Sequence, residues 1–443
     1  MKKILILGAG RSATSLIDYI DKQSIKYGWK IRIGDYSYDL VKEKCQGTSC
    51  EAFEFDINNE SQRIEEVKNA DLVISMLPAG FHPLVAKSCV EYSSHLVTAS
   101  YVSDEMKELQ QAAEEKGILL LNECGLDPGI DHMSAMKVID QIREAGHTLT
   151  AFETFTGGLL ASTTQDDNPW EYKFTWNPRN VVLAGQGVVK FFQEGKYKYI
   201  PYHKLFKRTE QVFIPGHGYF EGYANRDSLK YLDTYGLRGI DTIYRGTFRR
   251  PGFCQAWDIF IQLGATDDTY QIEGVSKMTH RQFINSFLSY NPHDSVELKL
   301  AYYAKIEIDG SEMHKMRWLG MFDDELVGLE EGTPAQILEH ILKKKWTLQP
   351  EDRDMIVMWH KFLYMADGEE KEINSTLIST GDDAVNTAMS KTVGLPVGIA
   401  AVKVLLGDIK SKGVQVPIKK EIYDPILTEL KELGFEMTEE EVS

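Results

Sequence analysis

The chain has 443 residues, 43% of them hydrophobic, with a formal net charge of -17. This length and composition support two or three domains with buried cores and exclude a disordered chain. The acidic balance argues against nucleic acid as a partner, since phosphate binding wants a basic face, but it leaves room for an anionic small ligand held by local arginines or lysines.

The start, Met1-Lys2-Lys3-Ile4-Leu5-Ile6-Leu7, superficially resembles a signal peptide, but its apolar core is short and runs straight into Gly8-Ala9-Gly10. It is read as a strand over 3–7, followed by helical spacing at 12–21. Further strands are expected at 30–34, 51–55, 72–76, 96–99 and 118–121, with helices at 61–68, 81–92, 104–116 and from about 131. Short apolar strands alternating with helices imply a parallel sheet covered on both faces, with right-handed crossovers: an α/β, doubly wound dinucleotide-binding domain. From about 145 to 270 the text is rich in aromatics, Gly and Thr, as in Phe152-Glu153-Thr154-Phe155-Thr156-Gly157-Gly158, and reads as a mostly antiparallel sheet of α+β type. A helical stretch follows, then a hairpin turning at Asp367-Gly368, then two helices, 383–393 and 398–406. The acidic end, Glu439 to Glu441, reads as a solvated tail. The expected division is a dinucleotide domain over 1–130 completed by 383–443, an α+β substrate and dimerisation domain over 131–275 and 351–382, and a small helical subdomain over 276–350.

No window approaches the roughly 18 apolar residues that span a bilayer, so a soluble cytoplasmic protein without a membrane partner is expected. The 5 cysteines are sparse. Cys45 and Cys50 lack zinc-motif spacing and the histidines form no paired ligand pattern, so no metal is expected and reduced thiols are the simpler reading.

Gly8-Ala9-Gly10-Arg11-Ser12-Ala13 is a G-x-G-x-x-A between a strand and a helix. The first Gly permits the tight turn, the second lets a pyrophosphate approach the backbone, and the small third residue allows close helix packing. The helix N-terminus then supplies N–H donors. Asp35, ending the second strand, suits the adenosine ribose hydroxyls and repels a 2′-phosphate, which favours NAD over NADP. Arg11, close enough to reach such a phosphate, is the counter-argument.

Ser75-Met76-Leu77-Pro78, Thr98-Ala99-Ser100-Tyr101 and Leu126-Asp127-Pro128 all lie at carboxyl ends of the expected parallel strands, where ligands collect. The plain alternative for each is a polar turn, with Ser103 or Asp104 serving as an N-cap. Asp127, on a Pro-fixed turn, is the acidic group best placed to meet a substrate beside a nicotinamide. In the second domain, Arg226 and the Arg245-Gly246-Thr247-Phe248-Arg249-Arg250 run suit a polycarboxylate, though any single arginine there could be a surface ion pair. Lys173 is read as either a site lysine or a snorkelling core-edge residue.

At these stretches, together with Phe81-His82, Asn122 to His132, Asp167-Asn168-Pro169, Trp318-Leu319-Gly320, Glu351-Asp352-Arg353-Asp354 and His360-Lys361-Phe362, the sequence resembles the saccharopine dehydrogenases of the L-glutamate-forming type over nearly its whole length. The resemblance implies an oxidoreductase of lysine metabolism that interconverts saccharopine, NAD(P)+ and water with L-glutamate, 2-aminoadipate 6-semialdehyde and NAD(P)H. It implies cofactor contacts at Ala9, Gly10, Arg11, Ser12, Asp35, Asp56, Ile57, Met76, Thr98 and Ala99, with Leu126, Asp127 and Pro128 at the junction with substrate. Substrate contacts would fall on Ser100, Tyr101, Asp127, Arg226, Thr247, Phe248 and Arg249, and a homodimer would be usual. Asp127 is the candidate partner of the secondary amine, as base or as electrostatic support, with Tyr101 assisting proton transfer. Two departures stand out: this chain has Asp35-Tyr36-Ser37 where fungal forms carry an Arg-bearing turn, and Thr156 where the family has a cysteine. The rival readings are a carboxynorspermidine-type dehydrogenase, which would need fewer arginines, and a non-catalytic NAD-binding sensor or assembly protein.

Overall fold

The run Lys-Ile-Leu-Ile-Leu buries four of its five residues, which suits a strand covered on both faces. In the computed structural model, which describes residues 1–162, 164 and 167–442, it forms β1 (Lys3–Leu7), followed by β2 (Lys30–Asp35), β3 (Glu51–Glu54), β4 (Leu72–Ser75), β5 (His95–Thr98) and β6 (Leu119–Leu121). With a late strand, Gly413–Gln415, at one edge, the order is 413–415, β6, β5, β4, β1, β2, β3, parallel throughout. The order reverses between β1 and β4, and in doubly wound sheets ligands collect beyond the carboxyl ends of the strands at such a point.

Some of the covering helices start where a side chain caps their first-turn donors. Asn59 accepts from the Gln62 N–H to begin Glu60–Lys68, and Ser103 accepts from the Met106 N–H, so Ser103 is an N-cap. The single helix expected over 104–116 is two short ones, Asp104–Lys107 and Gln110–Glu115.

Two compact units result: Met1–Leu149 with Leu363–Ser443, and Thr150–Phe362. In the first, the two late helices expected over 383–393 and 398–406 are one continuous helix, Ala388–Leu406. The glycines serve contact, not a break. A Cβ on Gly394 would come within 3.0 Å of Leu16 N and Ser12 O, and one on Gly398 within 2.8 Å of the Tyr19 ring, so this helix seats closely on Thr14–Tyr27. Ser390 Oγ accepts the Ser15 N–H at 3.2 Å at the same contact. By length and composition this 19-residue helix could cross a membrane, which corrects the expectation that no such window exists; 72% of the window is buried inside the protein, as a core helix requires. The acidic end is also a correction: Thr438–Val442 pairs antiparallel with Glu369–Thr380. Asp367 (φ 53°) and Gly368 (φ 86°) make the two-residue turn before that strand.

The second unit carries β7 (Thr148–Leu160), β8 (Val188–Gln193), β9 (Lys196–Pro201), β10 (Thr209–Ile214), β11 (Gly218–Ala224), β12 (Thr242–Arg249) and β13 (Asp354–Ala366). The order β10-β11-β12-β7-β13, with β8 and β9 attached through β12, is mixed because β12 runs parallel to β7. A helix not anticipated in this strand-rich text, Phe253–Leu263, supplies Phe253, Trp257 and Phe260 to an aromatic core with Trp170 and Trp346. The helical residues 276–350 fall in this same unit.

Candidate active site

The glycine turn is built by close approach. Gly8 has φ 99°, and a Cβ there would lie 2.9 Å from the Met76 carbonyl carbon and oxygen, so only glycine lets β1 turn this near the exit of β4. A Cβ on Gly10, by contrast, would meet nothing within 4 Å. That open cradle in front of the helix start at Arg11 fits a pyrophosphate lying against backbone N–H groups. Ala9 and Ala13 are buried, Arg11 is exposed and Ser12 is half-buried. Asp35 accepts from the Ala9 N–H (2.7 Å) and from the Ser37 N–H (2.9 Å), one at each carboxylate oxygen. Asp35 therefore staples the glycine turn to the end of β2. Past β3, Asp56 accepts from the Asn58 N–H (2.9 Å) and the Ile57 carbonyl accepts from Arg63 (2.8 Å). Met76, Thr98 and Ala99 stand at the ends of β4 and β5.

Beside them lies a group that sequence reasoning left without a role. The His82 ring sits between strand ends: Nδ1 is 2.9 Å from Ser75 Oγ, and Nε2 is 2.7 Å from Ser100 Oγ and 3.3 Å from Thr98 Oγ1. Burial pushes His82 down to about 4, so the imidazole is neutral at physiological pH. A histidine seven residues past Ser75, at the start of the helix His82–Tyr92, was a signal available in the text.

The 122–132 stretch forms a pinned turn beyond β6. The Asp127–Pro128 peptide is cis and Gly129 has φ 149°. The Gly125 N–H donates to Pro128 O (2.9 Å), and the Ile130 N–H returns to Gly125 O (2.8 Å). The Tyr101 hydroxyl donates to Asp127 Oδ1 at 3.2 Å, and both residues are half-buried. Leu126 and Pro128 are buried beside them. Two further residues missed from sequence support the turn: Glu123 accepts from the Val102 N–H (3.0 Å) and contacts His132 Nε2 at 2.8 Å.

In the second unit, Arg226 is exposed and has φ 55°. Thr247 is half-buried, and Phe248 is fully buried, stacked on Phe155. Arg249 is only 4% exposed. Its guanidinium lies over Tyr172 (4.8 Å), Phe253 (5.2 Å) and Tyr223 (5.8 Å), and Nη1 donates to Phe248 O. Arg249 is thus an interior cation in an aromatic cage, where the text alone suggested an open arginine. Lys173 resolves as a buried ion pair with Asp352 at 2.8 Å.

Comparison with known proteins places this geometry in context. A family model described as the saccharopine dehydrogenase NADP binding domain matches residues 4–121, and one described as the saccharopine dehydrogenase C-terminal domain matches 125–435. The chain is 33% identical over 441 residues to the mitochondrial alpha-aminoadipic semialdehyde synthase of Rattus norvegicus, covering 98% of this chain and 47% of the relative. It therefore spans about half the length of that relative. It is 32% identical to the saccharopine dehydrogenase [NADP(+), L-glutamate-forming] of Pyricularia oryzae, covering 100% of this chain and 99% of the relative. The apo saccharopine dehydrogenase (L-Glu forming) of Saccharomyces cerevisiae superposes with a TM-score of 0.90 at 31% identity, each chain covered fully. These matches overturn the preference for NAD, because the family domain is an NADP-binding one and the fungal relatives carry NADP(+) in their names. The physical reason lies in Asp35: its oxygens are engaged by the turn's own N–H groups, so an acid at this position did not by itself report a ribose contact.

Proposed function

The chain belongs to the saccharopine dehydrogenase family, and from that premise we propose that it interconverts L-saccharopine, NADP+ and water with L-glutamate, 2-aminoadipate 6-semialdehyde and NADPH. The observation that carries this reading is the Tyr101–Asp127 pair, a hydroxyl on the segment leaving β5 and a carboxylate on the turn beyond β6, 3.2 Å apart, in the unit that also holds the glycine turn.

The nicotinamide, when bound, supplies the hydride acceptor. The turn at Gly8 to Ser12 holds its phosphates, and exposed Arg11 is the cation available to a 2′-phosphate. Asp127 faces the secondary amine of saccharopine. Its carboxylate takes the amine proton, or holds the positive charge that develops on the nitrogen, and the Tyr101 hydroxyl keeps that carboxylate oriented. Thr247 and Arg226 are assigned to substrate carboxylates on their chemistry and on family likeness, with Arg226 the exposed cation of its segment. Arg249 is assigned a supporting part, since its guanidinium is enclosed by aromatic rings.

Purified protein mixed with saccharopine and NADP+ should generate the absorbance of reduced nicotinamide. The same assay with NAD+ ranks the cofactors. No signal with either cofactor would remove the proposed activity and leave a nucleotide-binding protein that does no chemistry on this substrate.

A further inference from the structure

We propose that His82 is a positioning residue that turns the Ser100 hydroxyl into an obligatory hydrogen-bond donor for a carboxylate of the substrate. This rests on the reading of the crevice as a saccharopine site.

The geometry begins at the buried end. Ser75 is 0% exposed, and among the described residues the only hydrogen-bond partner of its hydroxyl is His82 Nδ1, at 2.9 Å. A buried hydroxyl proton without an acceptor is costly, and of the two fully buried hydroxyls on the ring Ser75 Oγ makes the shorter contact (2.9 Å against 3.3 Å for Thr98 Oγ1), so Ser75 is assigned as the donor and Nδ1 as its acceptor. A neutral imidazole carries one proton, which then sits on Nε2. Nε2–H points at Ser100 Oγ, 2.7 Å away, and Thr98 Oγ1, which already receives the Ser100 N–H, shares it at the longer distance of 3.3 Å. Ser100 Oγ is therefore an acceptor toward the protein. Its own proton is left for a group outside, and Ser100 is the half-buried member of the chain, whereas Ser75, His82 and Thr98 are closed off.

A donor of fixed direction selects an acceptor-only partner. Carboxylate oxygens are acceptors only and form the stronger charge-assisted bond. Burial holds the imidazole near 4, so the arrangement persists through neutral pH. Because the chain of groups ends blind at Ser75, it has no exit for a proton, which favours orientation over proton relay.

Two measurements test this. Nitrogen-proton NMR of the histidine-labelled full chain should show His82 protonated at Nε2 and bare at Nδ1 throughout neutral pH; a ring protonated at Nδ1 overturns the inference, whatever the enzyme's activity. In kinetics, His82→Phe should raise the KM for saccharopine about tenfold, the loss of one bond to a charged group, with the KM for NADP+ unchanged. His82→Gln, whose amide can still donate to Ser100, should recover most of that loss. In a Ser100→Ala background the same His82→Phe change should add less than about twofold, since two residues acting through one contact are not additive. An equal penalty in both backgrounds overturns the inference. Absence of turnover in the unsubstituted protein would instead remove the saccharopine reading and leave the NMR result to decide the role of His82.

Discussion

Glu123 and His132 meet at 2.8 Å, Oε2 to Nε2, in the interior just behind the turn that carries Asp127. Glu123 is 7% exposed and His132 0%. The other Glu123 oxygen takes the N–H of Val102, the residue after Tyr101. One buried carboxylate thus joins the segment leaving β5 to the first turn of the helix Ile130–Glu144, and so sets Tyr101 against Asp127. Glu123→Ala takes away the partner of His132 Nε2 and of the Val102 N–H. It should destabilise the protein by about 2–4 kcal/mol in urea unfolding. Glu123→Gln keeps an acceptor for Val102 and should cost less than half as much; equal losses would show that the hydrogen bonds are not what matters.

Asp127→Asn preserves shape and removes the charge. If Asp127 moves the amine proton, kcat should fall at least about a hundredfold with fold and cofactor binding intact. A loss below about tenfold with a raised saccharopine KM assigns it to binding and charge stabilisation instead.

Gly129 cannot be replaced. Its φ is 149°, and a Cβ would stand 2.0 Å from Gly125 O and 2.2 Å from Gly125 N. Gly129→Ala should cost more than about 4 kcal/mol or yield no folded protein, whereas Gly146→Ala, whose Cβ would meet nothing within 4 Å, should cost only the roughly 1 kcal/mol of its left-handed backbone. Similar denaturation midpoints for the two variants would contradict the close packing of the turn.

Stability should fall on acidification through the window set by His82. Its folded value is lowered from 6.5 to about 4 by burial. Between those values the unfolded chain binds the extra proton, so stability rises with pH there, is unaffected by this group above 6.5, and is lost as pH drops toward 4. The contribution lost by pH 4 is about 3 kcal/mol. The stability difference between the unsubstituted protein and His82→Asn, measured at pH 7 and at pH 4.5, should shift in favour of the variant at the lower pH; a constant difference would mean that His82 is not the titrating group.

Arg226→Ala should raise the saccharopine KM at least about tenfold while kcat changes less, as expected for a charge-assisted contact to a substrate carboxylate. Steady-state kinetics at saturating NADP+ read this directly, and unchanged constants would remove Arg226 from the substrate site.

Much of the first unit is legible in the text because its signals are local. Apolar runs such as Lys3 to Leu7, the G-x-G-x-x-A turn and the Asp-Pro-Gly turn each state their conformation within a dozen residues, and the strand order places their ends on one edge of the sheet. Glycine was the ambiguous letter: the same residue type that faces open space at Gly10 lets two helices touch at Gly394 and Gly398, and only the neighbour, Leu16 or Tyr19, tells the two uses apart. Asp35 misled for a related reason, since its acceptors look outward in the text and are engaged by the adjoining turn in the fold.

The sequence by itself determined the alternation of strand and helix, the position of the nucleotide turn and the acidic turn beyond β6, because backbone preference and hydrophobic period act over a few residues. Tertiary structure alone decided that His82 lies between Ser75 and Ser100, that Glu123 reaches both Val102 and His132, and that Arg249 sits among Tyr172, Tyr223 and Phe253. Those partners are chosen by which strand ends and helix faces lie side by side, and by what a buried polar group must then find within hydrogen-bond reach.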